Sequence, residues 1–341
     1  SDLDLVAFAT YIAFFPTFLS GPIDRPKPFL SQLQTARSFT YPSVENQAVD
    51  GLRQILWGLF KKVVVADSFL RFIEVGWSKT DECTPMALLL VFLIYPVQLY
   101  ADFSGYTDMA IGVGKMLGIH VAKNFNYPFF AQNMADYWRR WHMSLTSWLT
   151  DYVFMPLNIR FRDWDYAGII LACMINMLVV GIWHGANWTY ALFGLYHGLL
   201  FIPLILNGTF ASKKKVKFEG YIPPLGYVGK MLLTYLLVAG GLLIFRADSI
   251  TSLLHFIRNF AFGVSPLCDV SLDANQFPVA TFLFTLLMLT AEWVAMRKKK
   301  EYALQLSTEW KTWVRYTAYM ALVLLYLLKV GGAHQFIYAQ F

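Results

Sequence analysis

"AGIILACMINMLVVGIWHGANWTYALFGLYHGLLFIPLIL", residues 167–206, is two apolar runs joined by a short break. The runs, 167–183 and 188–206, are each close to the length a helix needs to cross roughly 30 Å of hydrocarbon. Between them stand His184, Gly185 and Asn187: an imidazole, a residue free to turn, and an amide. An ionisable side chain at membrane depth is costly and marks a functional site by default. A structural histidine bonded to a neighbouring helix explains the same residue, and the residues alone leave both readings open.

The same pattern recurs outward from this hairpin, at 86–101, 231–245, 277–296 and 316–330, with 4–19 a further candidate span. Segments 51–66 and 107–119 are shorter and more mixed, as partial, re-entrant or interfacial helices are. Over the 341 residues, 57% are hydrophobic and 15% charged, against about 25% charged in a soluble domain. The 17% of aromatic residues suits a protein with many interfacial Trp and Tyr side chains. The expected class is an all-α, polytopic helical membrane protein.

The net charge of +6 is gathered in loops, at Lys213, Lys214, Lys215 and Lys217 and at Arg297, Lys298, Lys299 and Lys300. Such loops fit the cytoplasmic side better than a nucleic-acid face. The loop 263–276 has no Lys or Arg and is expected outside. Alternation from these anchors puts 158–164 in the cytoplasm, His184 toward the outer half of the membrane, and the terminal "HQFIYAQF" outside. Cys83, Cys173 and Cys268 are far apart, with no CxxC, so neither a disulfide framework nor a Cys-ligated metal is expected. No charged n-region followed by an apolar h-region opens the given sequence, so a signal peptide is not expected there. It begins "SDLDLVAF", without methionine and almost directly in an apolar segment, and is expected to be a fragment or processed form.

A second histidine, His142, lies in "NMADYWRRWHMSLTSWLTDYVFMPL", 133–157. Trp141, Leu145, Trp148 and Tyr152 recur at helical spacing and predict one aromatic–aliphatic face. Asp136 precedes Arg139 by three and Arg140 by four, which favours an ion pair along that helix. These charges are expected to face protein, a cavity or the interface. An interfacial helix with snorkelling arginines is the plainer account. "GVGKMLG" (112–118) lacks the phosphate-loop spacing, and neither GxSxG nor HExxH occurs. His120, His197, His255 and His334 read as structural. Glu292 has Arg297 as a nearby partner.

Four stretches carry a family resemblance: "FFPTFLSGPIDRPKPFLSQL" (14–33), "QLYADFSGYTDMAIGVGKMLGI" (98–119), "DYWRRWHMSLTSWLTDYVFMPL" (136–157) and "GIWHGANWTYALFGLYHG" (181–198). Together, with the terminal "FIYAQF", they resemble the membrane-bound O-acyltransferase (MBOAT) family. More narrowly, the likeness is to its bacterial branch of alginate O-acetylases and D-alanyl transfer proteins of teichoic acid modification. It spans nearly the whole chain, and its two middle motifs are specific in combination.

The resemblance implies a single MBOAT membrane domain over 1–341, a ring of transmembrane and re-entrant helices around a central tunnel, lacking the further N-terminal helices of the family. It implies a multi-pass protein of the bacterial inner (plasma) membrane. It also implies transfer of an acyl group, most simply acetyl, from a cytoplasmic donor to hydroxyls of an exported polysaccharide. The donor would be acetyl-CoA or an acyl carrier protein, with no bound cofactor, no metal and no nucleic acid. Periplasmic or extracellular transfer proteins and the lipid bilayer are the other implied partners. By motif match His184 takes the place of the catalytic histidine and His142 that of the second active-site residue.

A neutral imidazole, with an ordinary pKa near 6.5, can deprotonate an acceptor hydroxyl. The oxyanion then needs donors, for which His142, Asn187 and a backbone N–H near Gly185 are open choices. Trp141 and Trp183 line the passage or pack against it. Arg139 and Arg140 steer an anionic donor or anchor through Asp136. D-alanyl transfer to teichoic acid is the alternative within the class. A transporter or a scaffold is the alternative outside it, and the inverted repeats that would favour a transporter are not found.

Overall fold

The structure, a computed structural model, describes residues 4–18, 20–34, 43–212, 218–263 and 279–330. Cys268, the lysines at 213–217, the loop expected outside, His334 and the terminal "FIYAQF" lie outside the described residues. Among the described residues the chain is helical, without strands. In order come α1 (Leu5–Ile12), α2 (Pro26–Gln34), α3 (Ser43–Leu59), α4 (Asp67–Ser78) and α5 (Pro85–Met116). Three short helices follow, α6 (Met134–Trp138), α7 (Met143–Leu149) and α8 (Met155–Arg160). The last six are α9 (Asp165–Trp183), α10 (Trp188–Leu206), α11 (Leu225–Arg246), α12 (Ile250–Phe262), α13 (Val279–Arg297) and α14 (Thr312–Lys329).

Five helices are long and apolar enough to cross a membrane: Pro85–Met116, Arg162–Trp183, Trp188–Leu206, Leu225–Arg246 and Val279–Arg297. The chain is a multi-pass membrane protein. Three expectations about spans are corrected. The segments 86–101 and 107–119 are one continuous helix, α5, so the second is no separate re-entrant piece. Segment 4–19 is helical only to Ile12, because Pro16 follows and the chain turns through Phe15–Thr17. The 316–330 segment does form α14, but Arg315, Lys329 and three tyrosines keep it outside the five.

Helix ends follow local chemistry. Pro85 sits in the first turn of α5, where its missing N–H costs nothing, and Thr84 Oγ1 accepts from Ala87 N at 3.2 Å. Pro96 lies inside the same helix and removes a ladder donor. One residue along from the freed carbonyl, the Tyr235 hydroxyl donates to the Leu93 carbonyl, the kind of side-chain bond that Pro-containing membrane helices use.

The chain divides into two compact units. The first comprises residues 1–68, 99–126 and 279–340. Its spine is the antiparallel pair of α3 with the later half of α5. A Cβ on Gly51 would lie 2.5 Å from the Gly112 carbonyl oxygen, and one on Gly58 2.5 Å from that of Gly105. Glycines seven residues apart on each helix therefore let the backbones touch, the small-residue packing that membrane helices use. A π-helical turn, Phe60–Ala66, follows α3 and packs against α13 and α14. Phe14, Phe29, Ile119 and Val121 form a smaller apolar cluster in this unit.

The second unit comprises residues 69–98 and 127–278. Its centre is the α9–α10 hairpin, pressed together at Gly181 and Gly194, where a Cβ would lie 2.0 Å from the Tyr190 carbonyl and 2.4 Å from that of Met177. On α11, Gly240 and Gly241 admit the side chains of Tyr196 and His197 from α10. The amphipathic α12 stacks Phe256 on Trp77 at 4.8 Å between ring centroids.

Candidate functional site

His184 is the residue after α9. Its N–H still bonds the Gly181 carbonyl at 3.0 Å, and the Gly185 N–H bonds that of Ile182 at 3.1 Å. The chain then turns at Gly185, whose φ of +148° is open to glycine and strained for any L side chain. Asn187 starts α10 as its N-cap: Oδ1 accepts from Thr189 N at 3.1 Å and Nδ2 donates to the Asp248 carbonyl at 2.8 Å. Gly185 makes the turn and Asn187 the cap, so His184 is held at a helix junction.

The 134–155 stretch differs from expectation. It is not one helix with a continuous aromatic face. α6 ends at Trp138, the chain turns, and His142 adopts a left-handed backbone, φ 45° and ψ 51°, before α7 begins. The predicted stripe is divided accordingly: Trp141 and Leu145 are buried, Trp148 and Tyr152 exposed. A left-handed non-glycine residue carries backbone strain, and such residues gather at functional sites. Three contacts hold the turn. Asn133 Oδ1 caps Asp136 N at 2.8 Å, Arg140 Nε donates to Asp136 Oδ1 at 3.0 Å, and Tyr137 stacks on Trp141 at 5.5 Å.

These two junctions meet through Trp183. His142 is edge-on to its ring at 6.0 Å and His184 at 4.9 Å. His184 also packs on Phe245 at 4.8 Å and lies 6.4 Å from Phe193. His142 is 4% exposed, whereas Trp183 is 48% exposed and opens the cluster outward. Two imidazoles 42 residues apart in sequence thus share one aromatic wall.

The remaining candidates separate clearly. Trp141 is buried and stacks on Tyr137. Arg140 is buried and pairs with Asp136. Arg139 is exposed and donates to the Phe210 and Ser212 carbonyls, both at 3.3 Å, so it fixes the end of the α10 loop. Asn187 spends its amide on the cap and on Asp248. Among the described residues no group of three or more His, Cys, Asp or Glu is arranged to hold a metal.

Sequence reasoning missed two groups. One is His197 with Trp138, described below. The other is a buried charge cluster in the first unit. Lys61 Nζ donates to Ser104 Oγ at 2.9 Å and pairs with Asp108 at 2.5 Å, with Glu292 at 3.8 Å. Lys62 bridges Asp67 at 2.7 Å and Asp102 at 2.6 Å. The pairing expected for Glu292 is corrected: it is buried beside Lys61 and accepts from Tyr100 Oη at 2.9 Å, rather than serving Arg297. The signal was present as opposite charges in separate apolar segments, which must find one another in hydrocarbon.

A family model described as MBOAT, membrane-bound O-acyltransferase family, matches residues 1–239. The chain is 35% identical over 291 residues to a probable alginate O-acetylase of Azotobacter vinelandii, covering 84% of this chain and 54% of that protein. It is 35% identical over 274 residues to a peptidoglycan O-acetyltransferase of Helicobacter pylori, covering 79% and 49%. It is 34% identical over 224 residues to a teichoic acid D-alanyltransferase of Streptococcus thermophilus, covering 63% and 52%. The chain spans about half the length of these relatives.

Proposed function

Because the chain belongs to the membrane-bound O-acyltransferase family, we propose that it forms the catalytic part of an O-acyltransferase that esterifies hydroxyls of an exported polysaccharide, with acetyl as the acyl group. The observation that supports this reading best is the pair His142–His184, set by two chain turns against the ring of Trp183. Chemistry needs a base beside the acceptor hydroxyl and a donor facing the carbonyl oxygen, and two imidazoles can divide those tasks.

His184 takes the hydroxyl proton as the oxygen attacks the acyl carbonyl of a thioester. The C–O bond forms, and the oxyanion is held by hydrogen bonding. Collapse breaks the C–S bond, and the thiolate recovers the proton from the His184 imidazolium. A positioned base of this kind contributes on the order of 10²–10⁴-fold. We assign that role to the His142 imidazole, which shares the Trp183 ring with His184. The loss of one such donor costs on the order of 10²–10³ in rate. The donor, acetyl-CoA or an acyl carrier protein, is taken to approach from the cytoplasm.

In cells expressing the full-length protein, His184→Ala at matched abundance should remove ester-linked acetyl groups from surface polysaccharide, read by mass spectrometry. D-alanyl esters lost in their place would redirect the reading to teichoic acid. Esters unchanged in kind and amount would sink His184 as the base and the acyltransferase reading with it.

A further inference from the structure

His197 lies on α10 and is 1% exposed. The Trp138 indole N–H, from the last residue of α6, donates to its Nδ1 at 3.4 Å. The two rings stand edge to face, 5.2 Å apart at 89°. The bond is long, and the edge-to-face rings keep donor and acceptor together. Indole nitrogen is a donor only, so Nδ1 must present a lone pair and the ring proton sits on Nε2. Around Nε2 the fold is made to measure: a Cβ on Gly241 would fall 2.3 Å from it. Phe193 packs on His197 at 4.6 Å, on Trp138 at 6.3 Å and on His184 at 6.4 Å.

These contacts close a circuit. His142 meets Trp183, Trp183 meets His184, His184 meets Phe193, and Phe193 meets both His197 and Trp138. Trp138 returns to His142 through four residues of chain, including the strained left-handed backbone of His142 itself. A strained conformation persists only where its surroundings over-determine it. Ring packing resists compression but tolerates sliding, whereas a hydrogen bond fixes direction. The Trp138–His197 bond therefore supplies the orientation that the aromatic contacts lack.

We propose that His197 is a positioning residue, which accepts the Trp138 indole N–H and thereby sets where α6 ends and where the His142 imidazole stands relative to His184. This rests on reading His142 and His184 as the acyl-transfer pair. His197 touches neither substrate nor reacting atoms. Its neutral, Nε2-protonated form is the working one.

The test uses the full-length protein in cells, with ester-linked acyl groups on surface polysaccharide counted at matched abundance. His197→Phe keeps the ring and deletes the acceptor, and Trp138→Phe keeps a ring and deletes the donor. Each should lower acylation by about tenfold to a hundredfold, the effect of a small misplacement of catalytic groups. The double variant should fall no lower than either single within about twofold, since both remove one bond. His197→Asn, whose Oδ1 can stand near the Nδ1 position, should recover most of the loss.

If His197→Phe accumulates poorly, Trp138→Phe against His197→Asn decides alone. Wild-type acylation in either deletion variant, losses that multiply in the double, or no rescue by His197→Asn would overturn the inference. Run alongside, His184→Ala separates the two claims. Should it retain acylation, the acyltransfer reading fails; should it lose acylation while Trp138→Phe does not, only the positioning role fails.

Discussion

His142 and Gly185 leave the backbone regions that L-residues prefer, and both flank the aromatic wall of the site. Their strain has different origins. At Gly185 the φ of +148° is what lets the chain leave α9 and reach the Asn187 cap within three residues. A Cβ there would also meet the Tyr190 ring at 3.0 Å. Gly185→Ala should therefore cost about 1–3 kcal/mol, seen as a lower melting temperature of the purified protein and a displaced His184. An unchanged melting temperature would mean the turn relaxes without penalty. At His142 the strain is carried by a histidine, one of the residues that tolerate left-handed backbone best. Motif and membrane depth were enough to single out His142 and His184 in the sequence. The turn at His142 was not, because 141–152 also satisfies a helical period, and period alone does not report where a chain bends.

Helices α3 and α5 show what pairing adds to a single element. Read alone, 51–66 is a short, mixed segment with two lysines near its end. Read with α5, its register is fixed twice: by Gly51 and Gly58 against Gly112 and Gly105, and by Lys61 and Lys62 against Asp108 and Asp102. Burying these charges is tolerable only because each finds its partner. Lys61→Met would take from Asp108 and Glu292 the cation that pairs with both, leaving the charge of Lys123 acting on them. It should destabilise the full-length protein by up to about 3–5 kcal/mol, the cost of removing one partner of a buried ion pair. Thermal unfolding in detergent would show this, with Lys61→Arg losing less; a Lys61→Met protein that melts like the wild type would refute the pairing as a stabilising feature. The ends of α10 were readable to the residue, since Asn187 is a ready cap and the apolar run stops at Asn207. α12 was not foreseen, because its polar face, with His255, Arg258 and Asn259, breaks up the apolar run that would mark a membrane span.

Across the molecule, ion pairs tie one stretch of chain to another, near or far in sequence. After α13, Lys298 and Lys300 both donate to Glu309, the latter at 2.9 Å, closing the 298–309 connection into a loop. The Lys298 hydrogen bond, then that of Lys300, holds the Glu309 carboxyl down at about 2. The unfolded value is about 4.3, so the folded state gains from this group above that pH and loses the gain as pH falls toward 2. The melting-temperature gap between wild type and Glu309→Gln should accordingly close between about pH 6 and about pH 2. It should also narrow in high salt, because these groups face water. A gap that widens on acidification would contradict the assignment. The sequence by itself determined that the chain is all-helical and crosses a membrane, because the cost of unpaired backbone in hydrocarbon leaves long apolar runs no other form. It also determined the family, through motifs whose residues stay adjacent in the chain. Only the tertiary structure decided which charges pair, that Glu292 serves Lys61, and that His197 meets Trp138. The last two contacts join positions 231 and 59 residues apart, and no local period or propensity carries information across such a distance.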